Sequence, residues 1–146
     1  MTLGRSPSNI NGVFALGLFS NSLVFYDYNN GYGFNSVQSS PSVSYGLRTH
    51  VAVVRDGDTL TLYINGVFDS LFIGSSVTYL NQDLVLGYDC RDNNGYYVGV
   101  MDNINMYNVA LSANSIAAIY SSTCRLIALY IFFTTFCVYT FLLMPM

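Results

Sequence analysis

Residues 49–66 read Thr-His-Val-Ala-Val-Val-Arg-Asp-Gly-Asp-Thr-Leu-Thr-Leu-Tyr-Ile-Asn-Gly. Two β-rich runs flank Asp56-Gly57-Asp58, and Asp-Gly between such runs is a strong hairpin signal. In the returning run Leu60, Leu62 and Ile64 share one face, while Thr59, Thr61 and Tyr63 share the other. That period of two marks a strand with one face toward a core. Asn65-Gly66 then forms a second tight turn into a strand over residues 67–73, because both residues tolerate positive φ.

Toward the N-terminus, residues 13–18 and 23–28 are apolar-aromatic runs separated by Phe19-Ser20-Asn21-Ser22, which reads as another hairpin. Asn29-Asn30-Gly31 is a turn. Residues 34–45 are Ser-rich around Pro41 and read as a loop with a short edge strand. Residues 1–10 read as a polar leader. Toward the C-terminus, residues 84–88 form a strand, 89–95 a polar loop, and 96–107 a long strand region. After Asn108 the period changes. Ser112 can cap a helix over 113–121 whose apolar positions are Ile116, Ala117, Ile119 and Tyr120. Short strands at regular spacing with one late helix predict an all-β, antiparallel two-sheet sandwich.

Composition agrees with that class. The 146 residues hold five Arg and eight Asp but no Lys, Glu or Trp, and the net charge is −3. No basic stripe exists to neutralise phosphates, which argues against nucleic acid as a partner. Hydrophobic residues at 52% argue against disorder. The missing Glu and Lys argue against long surface helices. Cys90, Cys124 and Cys137 are odd in number, so any single bridge leaves a free thiol. A Cys90–Cys124 bridge would suit an extracellular domain. Cys137 reads as a small hydrophobe, and no metal-type cysteine spacing occurs.

The last 21 residues stand apart: 17 are apolar and none is charged. The run 126–144 is 19 residues long, enough for a helix to cross a bilayer. A C-terminal membrane helix over 126–144 is therefore expected, with the membrane as a partner. Its rival is one or two buried strands, because Ile, Phe, Tyr, Val and Thr dominate. The N-terminus lacks an apolar signal-peptide core, so a membrane-spanning tail would make the chain tail-anchored.

Two blocks then suggest a family. Thr49-His50-Val51-Ala52-Val53-Val54-Arg55-Asp56-Gly57 with Leu62-Tyr63-Ile64-Asn65-Gly66 resembles the central hairpin of laminin-G-like, concanavalin-A-like lectin domains. Leu86-Gly87, then Gly99-Val100-Met101-Asp102-Asn103-Ile104, Tyr107-Asn108, Ala110-Leu111-Ser112 and Ile116, resemble the ending of the same family. The resemblance covers residues 11–122 and implies a jelly-roll sandwich that lacks its first strands. The family's usual Trp before the His motif is Arg48 here, and the acid expected after Asp102 is Asn103. An apolar tail paired as a strand could fill part of the gap.

The same resemblance implies a recognition domain. Glycosidases on this sandwich use paired carboxylates, usually Glu, and this chain has none. No Asp pair shares a strand face, so a hydrolase is not expected. His50 reads as a structural strand histidine, and Asp102 as a structural acid. Calcium prefers six to eight hard oxygens, and Asp89, Asp92, Asn93 and Asn94 gather such donors in one loop. Many laminin-G-like relatives bind one Ca²⁺ between loops. Asp27, Asn29 and Asn30 form a second cluster. Sugars are bound by aromatic faces plus amide and carboxylate groups; the candidates are Tyr28, Asn29, Asn30, Tyr88, Tyr96 and Tyr97. The expected function is a non-catalytic module binding a glycan or glycoprotein, calcium-assisted and held at a cell or particle surface. The alternatives are an adhesive domain without a sugar site, and a non-functional fragment of a larger laminin-G-like protein.

Overall fold

A computed structural model describes residues 2–3, 13–19, 21–29, 33–40, 43–44, 46–75, 77, 85–89, 95–123 and 138–145. In chain order its elements are β1 (Thr2–Leu3), β2 (Val13–Phe19), β3 (Ser22–Asn29), β4 (Gly33–Gln38), β5 (Thr49–Asp56), β6 (Thr59–Ile64) and β7 (Val67–Ile73). β8 (Tyr88–Asp89), β9 (Gly95–Tyr96), β10 (Gly99–Tyr107), α1 (Ala113–Thr123) and β11 (Val138–Pro145) follow. One sheet has the order β1-β2-β3-β4 and the second β10-β11-β5-β6-β7; β8 and β9 form a separate hairpin. Every pairing is antiparallel. β1 lies within the stretch read as a leader and pairs with Gly17 and Leu16 of β2.

The central hairpin forms as its residues dictate. Asp56 pairs with Thr59, and Gly57 between them takes φ +54°. Asn65 and Gly66 both take positive φ, which is the geometry of a type I′ turn. The Asn65 amide donates to the His50 carbonyl at 2.8 Å, and the His50 amide donates to Asn65 Oδ1 at 2.9 Å. The predicted alternation holds. Leu60 and Leu62 enter the inner core with Val51 and Val53 of β5, and Ile64 packs against it; Tyr63 joins the opposite face with Ala52 and Val54.

The two sheets face each other across that inner core. Phe14 and Leu16 of β2, Leu23 and Phe25 of β3 and Val37 of β4 meet Val51, Val53, Leu60, Leu62 and Met106 of the second sheet. Each fully buried Leu, Val or Phe contributes about 1.5–3 kcal/mol by leaving water. One side of the sandwich is stitched along its edge strands. Ser70 Oγ donates to the Gln38 carbonyl at 2.7 Å, and the Ser40 amide donates to Asp69 Oδ2 at 3.0 Å.

The helix covers the outer face of the second sheet. Ser112 caps it: its Oγ accepts from the Ser115 amide at 3.2 Å. Ile116 is fully buried against Ala52, Val54 and Tyr63. This second covering explains why β5 is buried along both faces. Gly66 lies directly under Tyr120: a Cβ at residue 66 would sit 2.9 Å from the Tyr120 Cβ. Gly66→Ala should therefore cost about 1–3 kcal/mol, from the left-handed φ and the displaced helix end. Urea unfolding would show it, and a loss below about 0.5 kcal/mol would mean that the helix end yields freely.

The expected membrane helix over residues 126–144 is not supported by the part of it that the structure describes. Val138–Pro145 is the extended strand β11, and no described helix is long and apolar enough to cross a membrane. Residues 49–54 of β5 pair with β11 on one side, and seven residues of β10 pair with it on the other. The strand alternative prevails for a physical reason. β5 and β10 would each present an open edge without it, and buried backbone groups require partners. A continuous apolar run carries no period that separates a strand from a helix, so length alone does not decide between the two readings. Residues 126–137 lie outside the described residues, as do Cys90, Cys124 and Cys137.

The region 96–107 also differs from expectation. It is two strands, β9 and β10, separated by Tyr97 and Val98; the Tyr97 amide donates to the Gly87 carbonyl at 2.9 Å, in register with the β8–β9 pairing. A bulge between Asp102 and Asn105, with Asn103 at φ +57°, interrupts β10.

Candidate ligand-binding rim

Tyr88 and Tyr96 are directly paired in the β8–β9 hairpin, and Asp89 is paired with Gly95. The register thus holds the ends of the Asp/Asn loop together and puts two predicted aromatic positions at one place. Tyr96 is 70% exposed. Tyr97 packs half-buried against the inner core, with its hydroxyl reaching the Val100 carbonyl at 3.4 Å. Gly87 takes φ +78° where the chain enters the hairpin, with Met101 beside it. Leu86, Val98 and Val100 are also exposed around this corner. An exposed ring on a core-anchored hairpin suits a shallow stacking contact. Asp92, Asn93 and Asn94 lie outside the described residues. Among the described residues no group of three or more His, Cys, Asp or Glu gathers for a metal.

The second predicted cluster is elsewhere. Tyr28 and Asn29 end β3, where Tyr28 pairs with Val13 and Phe34, and Asn29 with Gly33. β8 lies against β1 at the far edge of that sheet, with β2 between β1 and β3. The strand pairing does not join Tyr28 and Asn29 to the hairpin, and Asn30 is outside the described residues.

Asp27, read with Asn29 and Asn30 as a cation cluster, is spoken for. It is fully buried, and its Oδ2 accepts from Arg55 Nη1 at 2.8 Å. Its Oδ1 accepts from Asn35 Nδ2 at 2.7 Å. Arg55 Nη2 and Asn35 Nδ2 also donate to the Ser75 carbonyl, and the Ser75 amide donates to Asn35 Oδ1 at 3.0 Å. This network ties β3, β4 and β5 to the chain after β7. A side chain at Gly74 would collide with Asn35 there. Sequence reading passed the network by. Only half of the signal was available: alternation puts Arg55 inward with Val51 and Val53, and Asp27 inward with Leu23 and Phe25, without showing that they meet.

His50 is 1% exposed and stacks at a tilt on Tyr120, 5.6 Å between ring centres. Neither ring nitrogen has a hydrogen-bond partner among the described residues. Burial lowers its pKa from 6.5 to about 4, so the ring is neutral at pH 7. The ring is thus buried, neutral and packed on an aromatic neighbour. Arg48, in the place of the family's Trp, makes a long ion pair of 3.8 Å with Asp102 across β11.

The order of these elements has known counterparts. A family model described as the concanavalin A-like lectin/glucanases superfamily, laminin G type, matches residues 3–117. The chain belongs to this superfamily. The match takes in both sequence blocks, from the 49–66 hairpin to the start of α1. Among solved structures, a domain of an S-layer domain-containing protein from Clostridium thermocellum is similar, with 27% identity and a TM-score of 0.42. That likeness covers 80% of this chain, and the chain spans 60% of the other. No curated protein matches the chain.

Proposed function

We propose that this lectin-like domain is a non-catalytic recognition module that binds glycans, free or on glycoproteins, at the rim formed by the β8–β9 hairpin. The observation that carries the reading is the 70% exposed ring of Tyr96 on a hairpin anchored by Tyr97. Tyr88 stands beside it in register, and residues 89–94 supply carboxylate and amide groups for sugar hydroxyls. The second predicted set, Tyr28 with Asn29 and Asn30, belongs to a separate contact in this proposal. Superfamily membership supports the reading by analogy of fold, which is a weaker support than the site itself. The chain's lack of Glu speaks for binding without hydrolysis. The module acts at a cell or particle surface, where glycans are displayed.

Calcium belongs to the proposal as an assistant. Asp89, Asp92, Asn93 and Asn94 are hard oxygen donors of the kind Ca²⁺ takes, and the Asp89–Gly95 pairing clamps the two ends of their loop. Thermal unfolding should rise with Ca²⁺ and fall back with a chelator; a ligand at 100 times its Kd adds about 2.7 kcal/mol. A transition indifferent to Ca²⁺ removes the metal.

The direct test is a glycan array followed by titration calorimetry. Tyr96→Ala should weaken binding about tenfold, about 1.4 kcal/mol, while leaving the unfolding transition in place. Saturable binding that survives Tyr96→Ala unchanged would move the site away from this hairpin. No binding across the array would leave adhesion without a sugar site.

A further inference from the structure

The slot between β5 and β10 is filled by the late strand β11. β5 and β10 are not neighbours, and β10 joins its sheet only through β11. The occupant, Val138–Pro145, is uncharged over its eight residues and pairs along both walls, from Val138 beside Val54 and Tyr107 to Pro145 beside Gly99. Next to the slot lie inward-facing Val51, Val53 and Met106, all within 3% exposure. The slot therefore accepts an extended, uncharged, aromatic and β-branched segment running antiparallel to both walls.

The covalent path to this occupant has slack. Tyr120, near the end of α1, lies over Gly66 and beside His50, at the first end of β5. β11 begins beside Val54, near the opposite end of β5. The distance back along β5 is roughly 13 Å, four residues at about 3.3 Å each. Residues 124–137 supply 14 residues, which extend to about 46 Å. That length allows β11 to enter the slot of its own sheet or that of a neighbouring molecule, and the strand pairings are identical in the two cases.

We propose that the β5–β10 slot is a strand-acceptor site, and that its exchange partner is the segment Val138–Pro145 of a second copy of this chain, giving a reciprocal dimer. The second copy is the fitting occupant because its segment is the one whose register and chemistry the slot already matches along both walls. A chain with an empty slot exposes two open edges, which favour capture of any matching strand nearby. Exchange is then governed by protein concentration during folding.

The test uses the full chain, unfolded in urea and refolded over a range of concentrations. The expected result is a dimer fraction that rises with refolding concentration and persists when folded protein is diluted, read by light scattering after gel filtration. Two fluorescently labelled preparations should show energy transfer when refolded together and none when mixed already folded. A synthetic peptide of residues 138–145, in about tenfold excess during refolding, should suppress the dimer at least severalfold. The same peptide with Thr140→Pro should not, because proline removes an amide from a strand hydrogen-bonded along both edges. A chain that is monomeric or merely aggregated at every concentration overturns the proposal. So does a dimer indifferent to the peptide, which would form through another face.

Discussion

Arg55→Met should destabilise the domain by about 3–5 kcal/mol, the usual consequence of stranding one partner of a buried ion pair. Asp27 is fully buried and Arg55 is 1% exposed, so neither charge can turn to water. With Arg55 gone, the Asp27 carboxylate loses the cation that faces it, and the Ser75 carbonyl loses a donor. Domains of this size are stable by only about 5–15 kcal/mol, so the variant should unfold at much lower urea. The second arm is the double variant Asp27→Leu/Arg55→Met. It removes both charges and should recover a substantial part of the loss, because a buried pair repays its desolvation poorly compared with apolar packing. Recovery will be incomplete, since Asn35 and Ser75 remain with fewer partners and each such loss costs about 1–3 kcal/mol. If the double variant is no more stable than Arg55→Met alone, the two charges are not coupled. The experiment also asks what the pair is for. It joins β3 to β5 across the sandwich, where a purely apolar interface could slide.

Acidification should weaken the same domain through His50. In the unfolded chain its imidazole titrates near 6.5, and in the fold at about 4. Between those values the unfolded state holds a proton that the native state does not, so stability falls as pH falls. The contribution is fully present above about pH 6.5 and is lost progressively down to about pH 4. The total is about 3.5 kcal/mol, from roughly two and a half pKa units at about 1.4 kcal/mol each. The cause is desolvation: the ring lies beneath Tyr120 with no acceptor on either nitrogen among the described residues. Urea unfolding from pH 7.5 to 4.5 should show the slope, and His50→Leu should flatten it. An unchanged slope in His50→Leu would assign the acid sensitivity to other groups. The helix end is expected to loosen first, because Tyr120 is what covers the ring; hydrogen exchange along Ala113–Thr123 would report it.

Local sequence carried the hairpins because their information is local. Gly57 and Asn65-Gly66 demand positive φ, and the alternation of residues 59–64 decides which face turns inward. Neither depends on what lies across the sandwich. Ser112 and the spacing of Ile116 and Tyr120 likewise specified α1 through capping and period alone. The ordered pair of blocks at 49–66 and 99–116 was enough to suggest the superfamily to which the chain belongs. The candidate rim was legible only as composition. Tyr88, Tyr96 and Asp89 could be named from the sequence, but their register could not, because β8 and β9 are too short to show a period.

The remainder was decided by distance in space. Arg55 and Asp27 are 28 positions apart, and nothing within either strand reveals that two inward charges meet; the sandwich brings them to 2.8 Å. That meeting is what withdraws Asp27 from cation binding. The tail shows the same limit more sharply. An uncharged apolar run of 19 residues is compatible with lipid or with a sheet interior, since both reward burial and neither leaves a periodic mark. Only the tertiary arrangement, with the edges of β5 and β10 each lacking a neighbour, makes residues 138–145 a strand: their backbone groups are satisfied there together with those of both walls.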